Sequence, residues 1–192
     1  MYTSGVVPAE TASESEIKYT VPVIHHMPSN TYVMDSALVS QFLESNYPDP
    51  PVPLTSELGR EIEAKTRGAL VKAFSTSLMP REMGILSPRA QEYFRRTREA
   101  LLGHPLEDQL AKEEESWGAV DDDLRTVSEL IQTSKADGRF VLGVRPSYTD
   151  FLIAGAMQTA RVVEEGVFQR LFKYPGFKDI YEACLPYMEK KD

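Results

Sequence analysis

The chain has 192 residues, 42% of them hydrophobic and 26% charged, with a formal net charge of −8 at pH 7. That size and balance fit one domain, or a small domain fused to a larger one, with a buried core. The acidic balance argues against nucleic-acid and anionic-membrane partners, whose recognition begins with a basic surface. One cysteine, Cys184, excludes an intramolecular disulfide and fits a reducing compartment. Three histidines, His25, His26 and His104, with that single thiol are too few for a Cys/His zinc site, so no metal is expected. No run of about twenty apolar residues occurs, and the first residues lack the basic-then-apolar pattern of a secretory signal. The expected location is cytoplasmic.

Residues 1–18, MYTSGVVPAETASESEIK, show neither a helical nor a strand period, and their Ser, Thr and Glu content reads as a flexible tail. The chain then turns to β-type residues in TVPVI, breaks at HMPSN and resumes with TYVM, which predicts a β-hairpin. Asp35 and Ser36 stand where a helix should start, and Leu38, Val39, Phe42 and Leu43 recur at helical spacing. Asn46 and the prolines at 48, 50, 51 and 53 end that helix. Residues 19–47 are therefore expected to form a small hairpin-plus-helix domain, and 48–55 a proline-rich linker.

Residues 56–192 read as helix throughout, so the fold class is mainly α. Leu58, Ile62, Leu70, Ala73, Phe74 and Leu78 mark one amphipathic helix stopping near Met79 and Pro80. Ser87 and Pro88 predict an N-cap and first helical residue for a helix through Leu102. A longer helix is expected to carry Leu106, Leu110, Trp117, Leu124, Val127 and Ile131. Its acidic residues, 113–115 and 121–123, read as a solvated face rather than a cation site. Ser147 and Asp150 form a capping-box pair, and the apolar residues from Phe151 to Ala160 point all round the axis, as in the centre of a bundle. A last helix from Pro175 carries Phe177, Ile180, Tyr181, Cys184 and Leu185 and ends near Pro186 or shortly after, giving about five main helices.

A Val-Pro pair opening a hairpin, an acidic-Ser pair capping the next helix and a bundle helix starting PSYTDF together resemble the cytosolic glutathione transferases. The stretches FRRTREALLGHPLED and YPGFKDIYEACLPYMEKKD look like the subgroup of filamentous fungi associated with secondary metabolism and aromatic-ether chemistry. The resemblance runs from Tyr19 to the C-terminus and implies that residues 19–47 are part of a thioredoxin-like, glutathione-binding domain, followed by the family's all-helical domain. It also implies glutathione as co-substrate and a small hydrophobic electrophile as second substrate. A homodimer is the assembly that the family suggests.

In such a fold Pro22 is cis, and the Val21 backbone pairs with the cysteinyl backbone of glutathione as an added strand would. Ser36, at a helix N-terminus, receives the γ-glutamyl carboxylate, and Asp35 the γ-glutamyl ammonium. Each pair also has a plainer structural meaning: Val-Pro marks an edge strand, and Asp-Ser is a common helix cap. The family's thiolate-activating Tyr, Ser or Cys follows a first strand in a β-α-β unit of on the order of 30 residues, and only eighteen residues precede Tyr19. Tyr2, Ser4, Ser13 and Ser15 lack the strand-then-helix frame, so no catalytic residue is assigned.

Three explanations stay open for that half-domain: a start further upstream, a truncation that lost catalysis, or a tail that adds a strand of its own. The second substrate is expected between the two domains, where Met79, Met83, Tyr93, Phe94 and Trp117 are candidate lining residues, each with core packing as its alternative role. The expected function is glutathione conjugation to, or ether cleavage of, a small aromatic electrophile in fungal secondary metabolism. The alternative is a catalytically silent binding or scaffold protein.

Overall fold

The computed structural model describes residues 6–7, 21–54, 56–133 and 137–188. They fall into two compact units that divide between Leu54 and Thr55.

In the first unit, strands β2 (Val23–His26) and β3 (Thr31–Met34) pair antiparallel, with Val23 opposite Met34 and His26 opposite Thr31. A 3-10 turn at Met27–Ser29 joins them through Asn30, whose φ of 50° is a left-handed conformation that Asn tolerates. A two-residue strand β1 (Val6–Val7) lies parallel to β3, giving the order β1-β3-β2. It falls within the segment read from sequence as a flexible tail; the rest of that segment lies outside the described residues. Helix α1 (Ser36–Asn46) follows β3 directly. The proline-rich stretch after it is tied back by the Val52 amide, which donates to Glu44 Oε2 at 3.0 Å.

The second unit holds helices α2 (Glu57–Ser77), α3 (Pro88–Leu102), α4 (Glu113–Gln132), α5 (Tyr148–Val163), α6 (Glu165–Leu171) and α7 (Pro175–Met188). Ser56 caps α2 by accepting from the Gly59 amide, and Gly103, at φ 76°, ends α3 in the left-handed conformation that favours glycine. The helix expected from Leu106 onward is two pieces, because Leu106–Lys112 form a 3-10 segment ahead of α4. This segment is tied to α3: Glu99 accepts from the Leu106 amide and Arg95 grips Glu107 with both guanidinium nitrogens. The short α6 is additional to the helices foreseen.

The core joins Ile62 and Ala73 of α2, Leu124 and Ile131 of α4, Ile153 and Met157 of α5, and Phe177 and Ile180 of α7. Helix α5 is central but not buried all round, since Gly155 and Thr159 are exposed. Helices α4 and α7 approach closely at Gly176, where a Cβ would lie 2.8 Å from the Ser128 carbonyl oxygen. The acidic residues of α4 are more engaged than a solvated face requires. Glu113 pairs with Arg81 at 2.9 Å, Glu114 with Arg170 at 2.6 Å and Asp121 with Lys173 at 2.6 Å.

Asp150 is fully buried and serves two segments. One carboxylate oxygen accepts from the Ser147 amide at 2.7 Å and hydroxyl at 2.6 Å, within the capping box; the other accepts from the Val141 amide at 2.8 Å. Asp150→Ala strands buried donors at both places and should cost about 2–4 kcal/mol. Urea unfolding followed by circular dichroism checks this; a loss below about 1 kcal/mol contradicts the assigned role.

Candidate functional site

The register that sets Val23 opposite Met34 puts Pro22 opposite Asp35, and there the Asp35 amide donates to the Pro22 carbonyl at 3.2 Å. The start of β2 is thus fastened to the start of α1. All four binding residues named from sequence, Val21, Pro22, Asp35 and Ser36, come together at this junction. The Val21–Pro22 peptide is cis, and residue Val21 is 89% exposed.

Asp35 is the N-cap of α1 and has φ 76°, ψ 132°, a conformation that an L side chain rarely adopts. Holding it there costs of order 1–3 kcal/mol, a kind of strain that clusters at functional sites. Its Oδ1 accepts from the Ala37 amide at 2.9 Å and the Leu38 amide at 3.3 Å. The plain capping role considered for Asp35 is therefore present. Ser36 is the first helical residue, at the positive end of the α1 dipole.

The far end of the hairpin is also organised, though no sequence signal announced it. His26 bridges Ser29 Oγ, at 2.6 Å from Nδ1, and the Tyr47 hydroxyl, at 2.7 Å from Nε2. His25 stacks on Tyr32 with ring centroids 4.1 Å apart. These histidines hold the turn and the C-terminal end of α1. Among the described residues, no group of three or more His, Cys, Asp or Glu is placed to hold a metal ion.

Tyr2, Ser4, Ser13 and Ser15 lie outside the described residues. Cys184, the chain's one thiol, is buried in α7, and burial with the nearby Asp150 carboxylate pushes its pKa up to about 12. It is not a nucleophile in the folded chain. The candidate lining residues belong to the helical unit. Trp117 belongs to its core, Phe94 is half-buried with the Arg98 guanidinium 4.9 Å from its ring, Tyr93 is exposed, and Met79 and Met83 are half-buried.

Residues 61–171 match the family described as glutathione S-transferase, C-terminal domain. The chain belongs to the glutathione S-transferase family. The glutathione S-transferase-like protein ustS of Aspergillus flavus is 25% identical over 193 residues, spanning 92% of this chain and 70% of its own length. The crystal structure of glutathione transferase GSTFuA3 from Phanerochaete chrysosporium matches 98% of this chain and 78% of its own, at 27% identity and a TM-score of 0.79. A glutathione S-transferase of Ceriporiopsis subvermispora, CsGST63524, solved in complex with glutathione, matches 98% of this chain and 79% of its own, at 26% identity and a TM-score of 0.76. The transferase fold is thus shared across the hairpin, α1 and the helical unit.

Two outcomes follow for this member of the family. Asp35→Ala keeps the strained backbone and removes the cap, and should cost about 1–2 kcal/mol, whereas Asp35→Gly relieves the backbone and should stay within about 0.5 kcal/mol of the parent; denaturant midpoints distinguish them, and equal losses contradict the strain. A thiol-reactive disulfide reagent at pH 8 should leave Cys184 unlabelled in the native chain and label it in urea; rapid native labelling contradicts its burial.

Proposed function

We propose that this chain binds glutathione at the junction of β2 and α1 and presents its thiol to a small aromatic electrophile, conjugating the molecule or cleaving an ether in it. The observation that carries the reading is the Asp35 amide bonded to the Pro22 carbonyl, which brings an exposed strand start and a helix N-terminus to one place. A peptide alongside Val21 gains backbone hydrogen bonds as an added strand does. The first turn of α1, with Ser36, favours the γ-glutamyl carboxylate through its amides and dipole. Both capping bonds of Asp35 use Oδ1, and we assign Oδ2 to the γ-glutamyl ammonium. The glutathione complex of the Ceriporiopsis relative supports the choice of ligand.

When bound, glutathione supplies a sulfur nucleophile: its thiolate forms a carbon–sulfur bond while the leaving group, an alkoxide or phenolate in the case of an ether, departs with the electron pair. A free thiol has a pKa of roughly 8.5, so a donor to the sulfur raises the reactive fraction at neutral pH. No described residue of this chain is assigned that task. The electrophile class rests on the sequence resemblance to the fungal secondary-metabolism subgroup.

Calorimetric titration of glutathione tests the reading. Binding at millimolar Kd or tighter is expected, with Ser36→Ala weakening it at least roughly ten-fold, as the loss of a hydrogen bond to a charged group does. Absence of heat from a chain shown to be folded by circular dichroism overturns it.

A further inference from the structure

Among the described helices of the second unit, α3 alone has no buried residue. None of its side chains belongs to the core cluster or to the partly buried apolar residues packed against it. It packs mainly against the two 3-10 segments on either side, Arg81–Gly84 and Leu106–Lys112. A helix so placed draws little stability from burial, and opening it locally costs far less than unfolding the domain.

Both ends of this stretch are anchored. Arg81 donates to the Ser77 carbonyl at 2.6 Å and pairs with Glu113 at 2.9 Å and Glu164 at 3.3 Å, which ties it to α2, α4 and the start of α6. Leu106 is fully buried. Between these anchors lie Gly84, where a Cβ would meet nothing within 4 Å, and Gly103, left-handed at φ 76°. Two glycines in such places absorb a change of backbone angle at little cost.

The bonds that hold α3 down are polar and close to its ends. Gln91 Nε2 donates to the Met83 and Leu86 carbonyls at 2.8 and 3.0 Å. At the other end Arg95 donates to both carboxylate oxygens of Glu107, at 2.7 and 3.1 Å, and Glu99 Oε1 accepts from the Leu106 amide at 3.2 Å. The Arg95 and Glu107 side chains are 39% and 55% exposed, so water and salt compete for that pair. Arg98, 4.9 Å from the Phe94 ring, acts on Glu82, a half-buried carboxyl whose pKa burial raises and that guanidinium lowers.

We propose that residues 84–103 form a strap that opens as one unit about Gly84 and Gly103 while α2, α4, α5 and α7 stay folded, with the Arg95–Glu107 pair as its latch. Opening parts Arg98 from Glu82 and returns that carboxyl to water. It also displaces Tyr93 and Phe94, two of the candidate lining residues for the second substrate. For the proposed function the strap is then an adjustable wall that admits electrophiles of different size. That consequence rests on the glutathione reading; the opening itself does not.

A helix of 15 residues detached from its partners is marginal in water, so exchange of its amides reports the opening. Hydrogen–deuterium exchange of the full chain, followed by ¹H–¹⁵N spectra without glutathione, should find the Phe94 and Arg98 amides exchanging roughly 100-fold faster than those of Ile153 and Met157, after correction for intrinsic rates. Glu107→Ala and Arg95→Gln should each raise the rates across α3 together by about two- to five-fold, the size that an exposed ion pair supplies. Exchange in α5 and the urea midpoint should not change. The proposal is overturned by α3 amides as protected as those of α5, by amides along α3 that respond separately, or by variants that leave α3 unchanged or speed α5 equally. Because no ligand is present, failure of the glutathione titration leaves this result standing, and the reverse holds too.

Discussion

A single buried carboxylate organises the helical unit. Asp150 is out of contact with water, and a buried charge persists only where its oxygens are satisfied. Here they accept the Ser147 amide and hydroxyl on one side and the Val141 amide on the other. The first bonds fix where α5 starts, and the third fixes the loop that enters it. Helix α5 can then offer Ile153, Ala154, Met157 and Ala160 to the helices around it. Burial, with the same carboxylate nearby, pushes the pKa of the Cys184 thiol up.

The start of α1 uses the same chemistry for a different end. Asp35 also caps a helix, but it does so from a left-handed backbone and at a partly open position, with an exposed strand beginning beside it. A cap alone would not require that conformation. Stability is concentrated where Asp150 is buried, and strain at the partly open start of α1. The small unit of hairpin and helix carries the candidate site, and the larger helical unit carries most of the core.

The sequence made some of this legible because the signals were local. Asp35–Ser36 before an apolar period, Ser87–Pro88, and Ser147 with Asp150 each lie within a few residues and mark α1, α3 and α5 close to where they begin. The four residues of the candidate site follow from the family resemblance of the Val-Pro and Asp-Ser pairs, and hairpin register brings them together. What stayed hidden depends on partners distant in sequence. The acidic run of α4 looked solvated because Arg170 and Lys173 come roughly 50 residues later. Leu106–Lys112 take a 3-10 form despite a helical period, in a segment bonded to Glu99 of the preceding helix. Strand β1 is two residues long, too short to show a period, and the contact of Val141 with Asp150 has no sequence signature at all.

The most direct test of the central claim is to follow backbone amide signals of the ¹⁵N-labelled chain as glutathione is added. Shifts confined to Val21, Ser36, Ala37 and their neighbours, with Ile153 and Met157 of the helical core unmoved, are what a glutathione site at the β2–α1 junction predicts. Saturable binding that moves only residues of the helical unit and leaves Val21 and Ser36 in place would contradict it.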